Sequence, residues 1–323
     1  MNSSNECSII PWSKQDNKTA RLLLYICIIA TIIHCLFWIQ LIAYPKVRQW
    51  SMQWLYSYLA TDLLLLVRFF CSYAYRSWPW CIPPLFSVFM CYSEAIFDNY
   101  LNLLQSYILL ALNICRYSQI AHNHNVYSMN RRTILITHCL IYFFPLLGHL
   151  LTIHFGWMIL IDPPVIECHL KGVSMPARLI FLLFSYFLPV SFALFFLALC
   201  LNYIRNTDGI QSPAIVDARQ RYHRQLVIQS VVFYSLWILL WSPHLLLFPF
   251  DYKKNFIGII AQILNYISIT LDPIIIAALD VRFLQAWKST GEHLRESFRR
   301  HRLIRIPVIY SANSPDPISE EIH

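Results

Sequence analysis

The sequence predicts an all-α membrane protein, a bundle of seven transmembrane helices followed by an amphipathic helix on the cytoplasmic surface. Of the 323 residues, 57% are hydrophobic and only 13% are charged. That charged content is about half of the soluble average. Seven apolar stretches are long enough to cross a bilayer, which takes about 20 residues for each helix. They lie at residues 21–44, 52–74, 86–118, 133–156, 177–204, 220–249 and 257–279.

The positions of Lys and Arg predict an extracellular N-terminus and a cytoplasmic C-terminus, because cytoplasmic loops carry the excess of basic residues. With this orientation the basic tail from Arg282 to Arg305 lies inside. We therefore expect a multi-pass plasma-membrane protein whose net charge of +8 faces lipid headgroups and cytoplasmic partners rather than a nucleic acid. The predicted segments are an extracellular N-terminus at 1–20, a transmembrane domain at 21–280, a basic surface helix at 281–305 and a flexible tail at 306–323.

The predicted extracellular side carries two kinds of modification signal. Asn2 and Asn17 begin glycosylation sequons. Cys91 and Cys168 fall at the outer face, where disulfides are permitted, and a bridge between them would pin the loop 157–176 over the third helix. A second bridge between Cys7 and Cys81, which are also external, stays open.

The third apolar stretch carries polar residues along one side. Glu94, Asp98, Asn102 and Gln105 follow one another at steps of four, four and three residues, which places them on a single helical stripe. An ionisable group near the bilayer centre costs several kcal/mol, so this stripe cannot face lipid. It must face other helices or a wet cavity, which makes it a candidate binding site.

Arg68, in the second apolar stretch, leaves two interpretations of the stripe open. Asp98 can serve as the carboxylate that binds a ligand. Alternatively, Arg68 neutralises Asp98 or Glu94 in a purely internal ion pair, which is a common fate of intramembrane charges.

Several short motifs stand in order along the chain. They are Cys91, Arg116-Tyr117 at the end of the third stretch, Cys168, Trp241-Ser242-Pro243, Asp272-Pro273 and Phe283. Asp62 lies in the second stretch and Pro189 in the fifth. Together these residues resemble the rhodopsin-like family of G-protein-coupled receptors over residues 20–300. The resemblance implies a receptor that binds an extracellular ligand in the outer half of the bundle and signals to a heterotrimeric G protein by movement of its sixth helix.

The resemblance also assigns roles to single residues. Asp98 would pair with a cationic group of the ligand and Tyr266 would hydrogen-bond that Asp, while Trp241 would sense the ligand. Arg116 and Tyr117 would contact the G protein. The ligand-binding set also includes Glu94, Asn102 and Arg68. We expect a peptide ligand, with a biogenic amine as the alternative.

Pro189, Pro243 and Pro273 each remove a backbone hydrogen bond and are expected to kink their helices, because proline has no N–H. Such kinks provide hinges through which a change at one end of a helix reaches the other. Pro243 and Pro273 therefore belong to the predicted switch, together with Asp272.

The chain departs from the family at Cys115, which replaces the acidic residue before Arg116. A thiol carries little charge near neutral pH. The sequence therefore predicts either raised basal activity or an Arg116 held by other hydrogen bonds. Ile276 replaces the seventh-span Tyr, and His34 is the polar residue nearest the position of the first-span Asn.

Asp62 and Asp272 are two carboxylates near the middle of the predicted membrane, with Ser268 close to Asp272 in sequence. Two like charges there cannot both ionise cheaply, so one is protonated or a cation is shared. By resemblance this is the family's sodium pocket, and sodium is the one cofactor that we consider.

Other classes are less consistent with the sequence. A membrane enzyme is disfavoured because the histidines form no acid-rich or metal-ligand motif. A transporter or channel also uses intramembrane charges, but it does not need the ordered motifs. An opsin does not fit, because Tyr266 stands where the retinal lysine would be.

Overall fold

The computed structural model describes residues 14–45, 52–77, 83–121, 131–160, 170–207, 213–247, 250, 256–279 and 281–304. Within these ranges the chain is almost entirely helical. The helices are α1 (Lys14–Ala43), α2 (Gln53–Ser77), α3 (Pro84–Ala121), α4 (Arg131–His154), α5 (Met175–Leu182), α6 (Leu188–Thr207), α7 (Pro213–Leu247), α8 (Phe256–Leu279) and α9 (Val281–Ile304). A π-helical turn, Leu183–Phe187, joins α5 to α6.

Six stretches among the described residues are long and apolar enough to cross a membrane. They lie in α1, α2, α4, α5–π–α6, α7 and α8. The expected all-α, multi-pass membrane character is therefore confirmed at this level. The helix α3 is not among these six, because the polar stripe from Glu94 to Gln105 interrupts its apolar sequence.

Polar and apolar residues are distributed as in a protein that faces lipid. Large apolar side chains point outward, among them Ile39, Phe143 and Phe144, which are 62%, 60% and 63% exposed. Only 11% of the apolar part of α4 is buried, so this helix lies at the periphery of the helix bundle. The polar side chains of α3 are buried instead, with Gln105 fully enclosed. Exposed apolar surface of this extent is typical of a membrane-embedded protein.

Proline positions are supported by side chains from neighbouring helices. Pro273 lies inside α8 and has no N–H, so the carbonyl of Ile269, four residues earlier, loses its helical donor. The ring of His34 in α1 fills this gap, with Nε2 3.0 Å from that carbonyl oxygen. Because a carbonyl only accepts, Nε2 carries the hydrogen. His34 therefore joins α1 to the interrupted part of α8.

The π turn before Pro189 is supported in the same way by α3. Pro189 cannot donate to the carbonyl of Ser185 in an α register, or to that of Phe184 in a π register. The hydroxyl of Tyr107 donates to Phe184 O at 3.0 Å, and the single hydrogen of the Ser106 hydroxyl has two acceptors, Leu103 O at 2.7 Å and Ser185 O at 3.2 Å. Tyr107 thus supplies a donor from α3 to one of the two carbonyls.

The segment between α4 and α5 forms a short β-hairpin that the sequence analysis did not predict. Strand β1 (Met158–Leu160) pairs antiparallel with β2 (Leu170–Gly172). Met158 and Leu170 are buried with Ala95 and Phe181, so the hairpin packs on the N-terminal part of α3. A Cβ at Gly172 would lie 2.5 Å from Cγ of Arg178, and the close approach requires glycine there.

Helix α9 follows α8 directly and packs on α1. Phe283 is fully buried and stacks on Phe37, with ring centroids 4.8 Å apart. The hydroxyl of Thr290 donates to that of Tyr44 at 2.9 Å. Leu284 and Trp287 remain exposed on the other side of the helix. Such a helix, basic in sequence and with an uncovered apolar face, is suited to lie along a membrane surface.

Candidate functional site

The centre of the candidate site is an ion pair between α2 and α3. Nη2 of Arg68 lies 3.0 Å from Oδ1 of Asp98, and both side chains are largely buried. The same Nη2 donates to the hydroxyl of Tyr266 in α8 at 3.0 Å. Arg68 therefore bridges the predicted ligand carboxylate and the predicted tyrosine. The structure adopts the internal ion pair that the sequence analysis left open as an alternative.

Asn102 extends this ion pair towards α7 and α8. Its amide nitrogen donates to the backbone oxygen of Asp98 at 2.8 Å and to Oδ1 of Asp98 at 3.3 Å. Its amide oxygen accepts from Nε1 of Trp241 at 3.2 Å and from the amide of Asn265 at 3.3 Å. A single buried amide thus connects the carboxylate to the tryptophan that lies two residues before Pro243.

Glu94 takes a different partner from the one considered in the sequence analysis. Its carboxylate pairs with Arg76, near the C-terminal end of α2, and not with Arg68. The two arginines of α2 therefore serve two different acids of α3. Because eight residues separate Arg68 from Arg76, the two pairs lie about 12 Å apart along the helix.

A cavity of about 390 Å³ lies beside these pairs, between α2 and α3. Arg68 and Glu94 contribute to its wall, which is otherwise mostly apolar and aromatic. Its volume falls within the range of about 300–1,000 Å³ that is common for small-molecule sites. Nε of Arg68 is buried and has no hydrogen-bond partner. The cavity therefore reaches Arg68 and Glu94 but not Asp98, and its edge at Leu64, Val67 and Phe97 lies on the exposed apolar surface.

An aromatic column runs from Trp241 along one face of α7. Trp237 stacks on Trp241 with centroids 4.2 Å apart and an interplanar angle of 21°. Tyr234 meets Trp237 edge-on at 6.0 Å. Ser230 lies one further turn along the helix. All four residues are buried and lie on one face of α7.

Arg116 lies at the other end of this column. Its Nη1 donates a hydrogen bond to the hydroxyl of Ser230. Cys115 is a free, half-buried thiol, and the ring of Tyr117 lies 5.6 Å from that of Phe196 in α6. Arg116 thus joins α3 to α7 through a neutral partner, which corresponds to the second of the two outcomes expected from the missing acid.

The candidate sodium residues are buried, and several of their oxygens have no partner. Gln105 donates to Oδ1 of Asp62, and Tyr58 donates to Oδ2 of Asp272 at 3.0 Å. Oδ2 of Asp62, Oε1 of Gln105 and Oγ of Ser268 have no hydrogen-bond partner. Buried hard oxygens of this kind suit a small hard cation, so the residues fit the ion that the resemblance implies.

Other predicted features fall partly outside the described residues. Cys91 is disulfide-bonded, and the other described cysteines are free, so its partner lies outside the described residues. Cys168, Cys7, Cys81 and Asn2 all fall there, and the predicted Cys91–Cys168 bridge stays a prediction. Asn17 lies in the first turn of α1, and its modification also stays a prediction.

The described histidines have separate environments. His138 stacks on Trp54 at 4.1 Å, His149 accepts from the amide of Asn99 at 3.2 Å, and His154 packs edge-on against Phe155. Among the described residues, no three His, Cys, Asp or Glu side chains are placed to hold a metal ion together.

Comparison with known proteins adds no relative. No protein-family model matches the chain, and no curated protein matches it significantly.

Proposed function

We propose that this protein is a seven-helix receptor of the rhodopsin-like class, set in the plasma membrane with its N-terminus outside. The observation that carries the proposal is the continuous hydrogen-bond network from Arg68 and Asp98 through Asn102 to Trp241. It connects the place where a ligand could act to the helix whose movement would signal. The ordered motifs in the sequence support the same conclusion.

In this proposal α3 also crosses the membrane, as the third span along the chain, and it brings the number of spans from six to seven. It has 38 residues, so it is about 57 Å long, well above the roughly 30 Å of a hydrocarbon core. It packs against α2, α4 and α6, each of which contains or forms part of a candidate span. Its polar side chains are covered by these neighbours, and this burial removes the cost of exposing them to lipid.

The ligand would act on the pair of Arg68 and Asp98. A cationic group, such as the amine of a peptide, would compete with Arg68 for Asp98, and an anionic group would compete with Asp98 for Arg68. A peptide can supply both charges, which favours it over a biogenic amine. Either exchange shifts the Asp98 carboxylate that Asn102 contacts, and Asn102 holds Trp241.

The signalling contact would form at Arg116 and Tyr117. In the resting state Arg116 binds Ser230, so α7 is held against α3. Movement of α7, with Pro243 as its hinge, would free the guanidinium for a heterotrimeric G protein. The basic helix α9 would lie on anionic lipids beside this surface.

A sodium ion would bind at Asp62, Asp272 and Ser268, with Gln105 as a further oxygen donor. The ion would supply positive charge between two carboxylates that cannot both ionise cheaply without it. By occupying the unpartnered oxygens it would stabilise the resting arrangement of α2, α3 and α8.

The test is a screen of peptides and amines on cells that express the chain, with nucleotide exchange on a G protein as the readout. Asp98→Asn and Arg68→Gln serve as paired variants, with surface expression measured for both. If the ligand's cation binds Asp98, the first variant loses the response and the second keeps or strengthens it. If both variants respond like the wild type, Asp98 and Arg68 are not the ligand site.

The same screen separates the proposal from its rival class. A transporter or channel would show ion flux or substrate uptake without any nucleotide exchange. That outcome would refute the receptor function.

A further inference from the structure

A second cavity lies on the outside of the bundle, between α3, α4 and the π turn. Its volume is about 240 Å³. Gly148 of α4 forms part of its wall, and a Cβ at this glycine would meet no heavy atom within 4 Å. Phe144 and Phe184 lie at its edge and are 63% and 53% exposed. The cavity therefore opens on the surface that faces lipid, away from the Arg68–Asp98 site.

The wall of this cavity is apolar and aromatic with a few hydrogen-bonding groups. It contains no Asp, Glu, Lys or Arg. Ser185 is 1% exposed, and its Oγ has no hydrogen-bond partner. An unpartnered buried hydroxyl is costly, and a ligand that carries a hydroxyl group would give it a partner. The ring of His149, on the opposite wall, is held by Asn99.

The Ser185 side chain takes no part in the hydrogen bonds beside Pro189. Its backbone carbonyl lies 3.2 Å from the Ser106 hydroxyl, while its own Oγ is enclosed and has no partner. Single π turns inside α-helices are often found at functional sites. A rotation about the Cα–Cβ bond of Ser185 would bring this hydroxyl to a ligand in the cavity.

We propose that this cavity is a binding site for a ring-sized, uncharged lipophile with one hydroxyl group, which enters from the membrane and hydrogen-bonds to Oγ of Ser185. The absence of charged side chains from its wall disfavours an ionised ligand, which would lose its hydration without compensation. The aromatic side chains at the wall favour a flat ring. A volume below about 300 Å³ limits the ligand to the size of a substituted ring.

The experiment uses the purified full chain in lipid nanodiscs and two probes of the same shape. The first is 2,6-diisopropylphenol, and the second is 1,3-diisopropylbenzene, which has no hydroxyl. Each competes with a diazirine-bearing alkylphenol, and the labelled peptides are mapped by mass spectrometry. We expect label in α4 and in the Leu183–Phe187 turn.

Two variants test the recognition. Ser185→Ala should weaken binding of the phenol by roughly three- to tenfold, the loss of one hydrogen bond, and leave the benzene unchanged. Gly148→Leu should fill the cavity and weaken both probes. Ser185→Ala should fold normally, since it removes a hydroxyl that has no partner.

Ser191→Ala is the matched control, because Ser191 follows Pro189 in α6 but is exposed and lies outside the cavity wall. It should bind both probes as the wild type does. Unchanged phenol binding in Ser185→Ala, an equal loss in Ser191→Ala, or label outside the cavity would each overturn the proposal. Gly148→Leu keeps the test decisive if Ser185→Ala does not fold.

Discussion

At the scale of single residues, buried polar groups of this protein complete the backbone or the side chains of another helix. His34 is the clearest case, because it lies in α1 and donates to the carbonyl that Pro273 leaves unpaired in α8. In a bilayer no water is present to replace such a donor. The histidine therefore has a structural role that neither its sequence context nor its chemistry suggests.

Replacing His34 with Ala should destabilise the fold by about 1–3 kcal/mol, because a buried carbonyl loses its donor. The measurement is thermal unfolding of the purified protein in detergent. His154→Ala is a suitable control, since His154 is exposed. Equal melting temperatures for the two variants would show that the hydrogen bond to Ile269 contributes nothing.

The candidate sodium residues give a second prediction at this scale. In Asp62→Asn, the basal nucleotide exchange of the reconstituted protein should no longer depend on sodium, because one carboxylate charge is removed. Basal exchange of the wild type should fall as sodium replaces a larger monovalent cation at constant ionic strength. A wild type indifferent to this replacement would argue against an ion at Asp62, Asp272 and Ser268.

At the scale of elements, the fifth apolar stretch shows how a proline reshapes a helix. Pro189 has no N–H, so one donor is missing from the backbone beside the π turn, and the hydroxyl of Tyr107 in α3 donates to Phe184 O. This couples the fifth stretch to α3 at a fixed register. The hydroxyl of Tyr107 should contribute to the stability of the fold only as long as Pro189 is present.

This dependence can be measured with a double-mutant cycle. Tyr107→Phe should cost about 1 kcal/mol in the native background, where Phe184 O loses its donor. In a Pro189→Ala background the restored N–H can donate to Phe184 O in the π register, and the cost of Tyr107→Phe should shrink towards zero. Additive effects, measured by thermal unfolding, would mean that Tyr107 does not compensate for Pro189.

The helices themselves were predictable from the sequence, because uninterrupted apolar stretches of membrane length have few alternative structures. The stretch predicted at 257–279 is helix Phe256–Leu279, and that at 133–156 is Arg131–His154. The β-hairpin was not predictable, because its strands have only three residues each and show no clear alternation of apolar and polar residues. The π turn was also missed, because proline signals a break without specifying how it is repaired.

The site was only partly predictable. The polar stripe identified Asp98, Asn102 and Gln105, because helical spacing alone places them on one face. The partners of the acids required three-dimensional geometry: Arg76 and Arg68 are both on α2, and spacing does not decide which one meets Glu94. Ser230, Tyr234, Trp237 and Trp241 follow steps of four, three and four, a signal that could have revealed the column of α7. Asn265 had no such signal.

At the scale of the whole molecule, the number of membrane crossings decides the orientation of the termini. Seven crossings, with α3 included, place the N-terminus and the C-terminus on opposite faces. Six crossings place them on the same face. The polar content of α3 lowers its hydropathy below that of the other spans, so hydropathy alone is a poor guide for this helix.

Epitope tags at both ends test this count directly. In intact cells an antibody should reach the N-terminal tag and not the C-terminal one, because the basic tail is retained inside. Permeabilised cells, in which both tags are stained, provide the control. Staining of both tags, or of neither, in intact cells would contradict the seven-helix topology.

The central claim is that Arg116, held by Ser230 in the resting state, is the contact through which this protein activates a G protein. The most direct measurement is nucleotide exchange on purified heterotrimeric G proteins of the main classes by the reconstituted chain. Ser230→Ala should raise basal exchange about tenfold or more, because a charge-assisted hydrogen bond of about 1.5–3 kcal/mol is lost from the resting state. Ser235→Ala, exposed on the same helix, should match the wild type, and Arg116→Ala should show no exchange. If Ser230→Ala and the wild type both leave every G protein at its unassisted rate, the account is wrong.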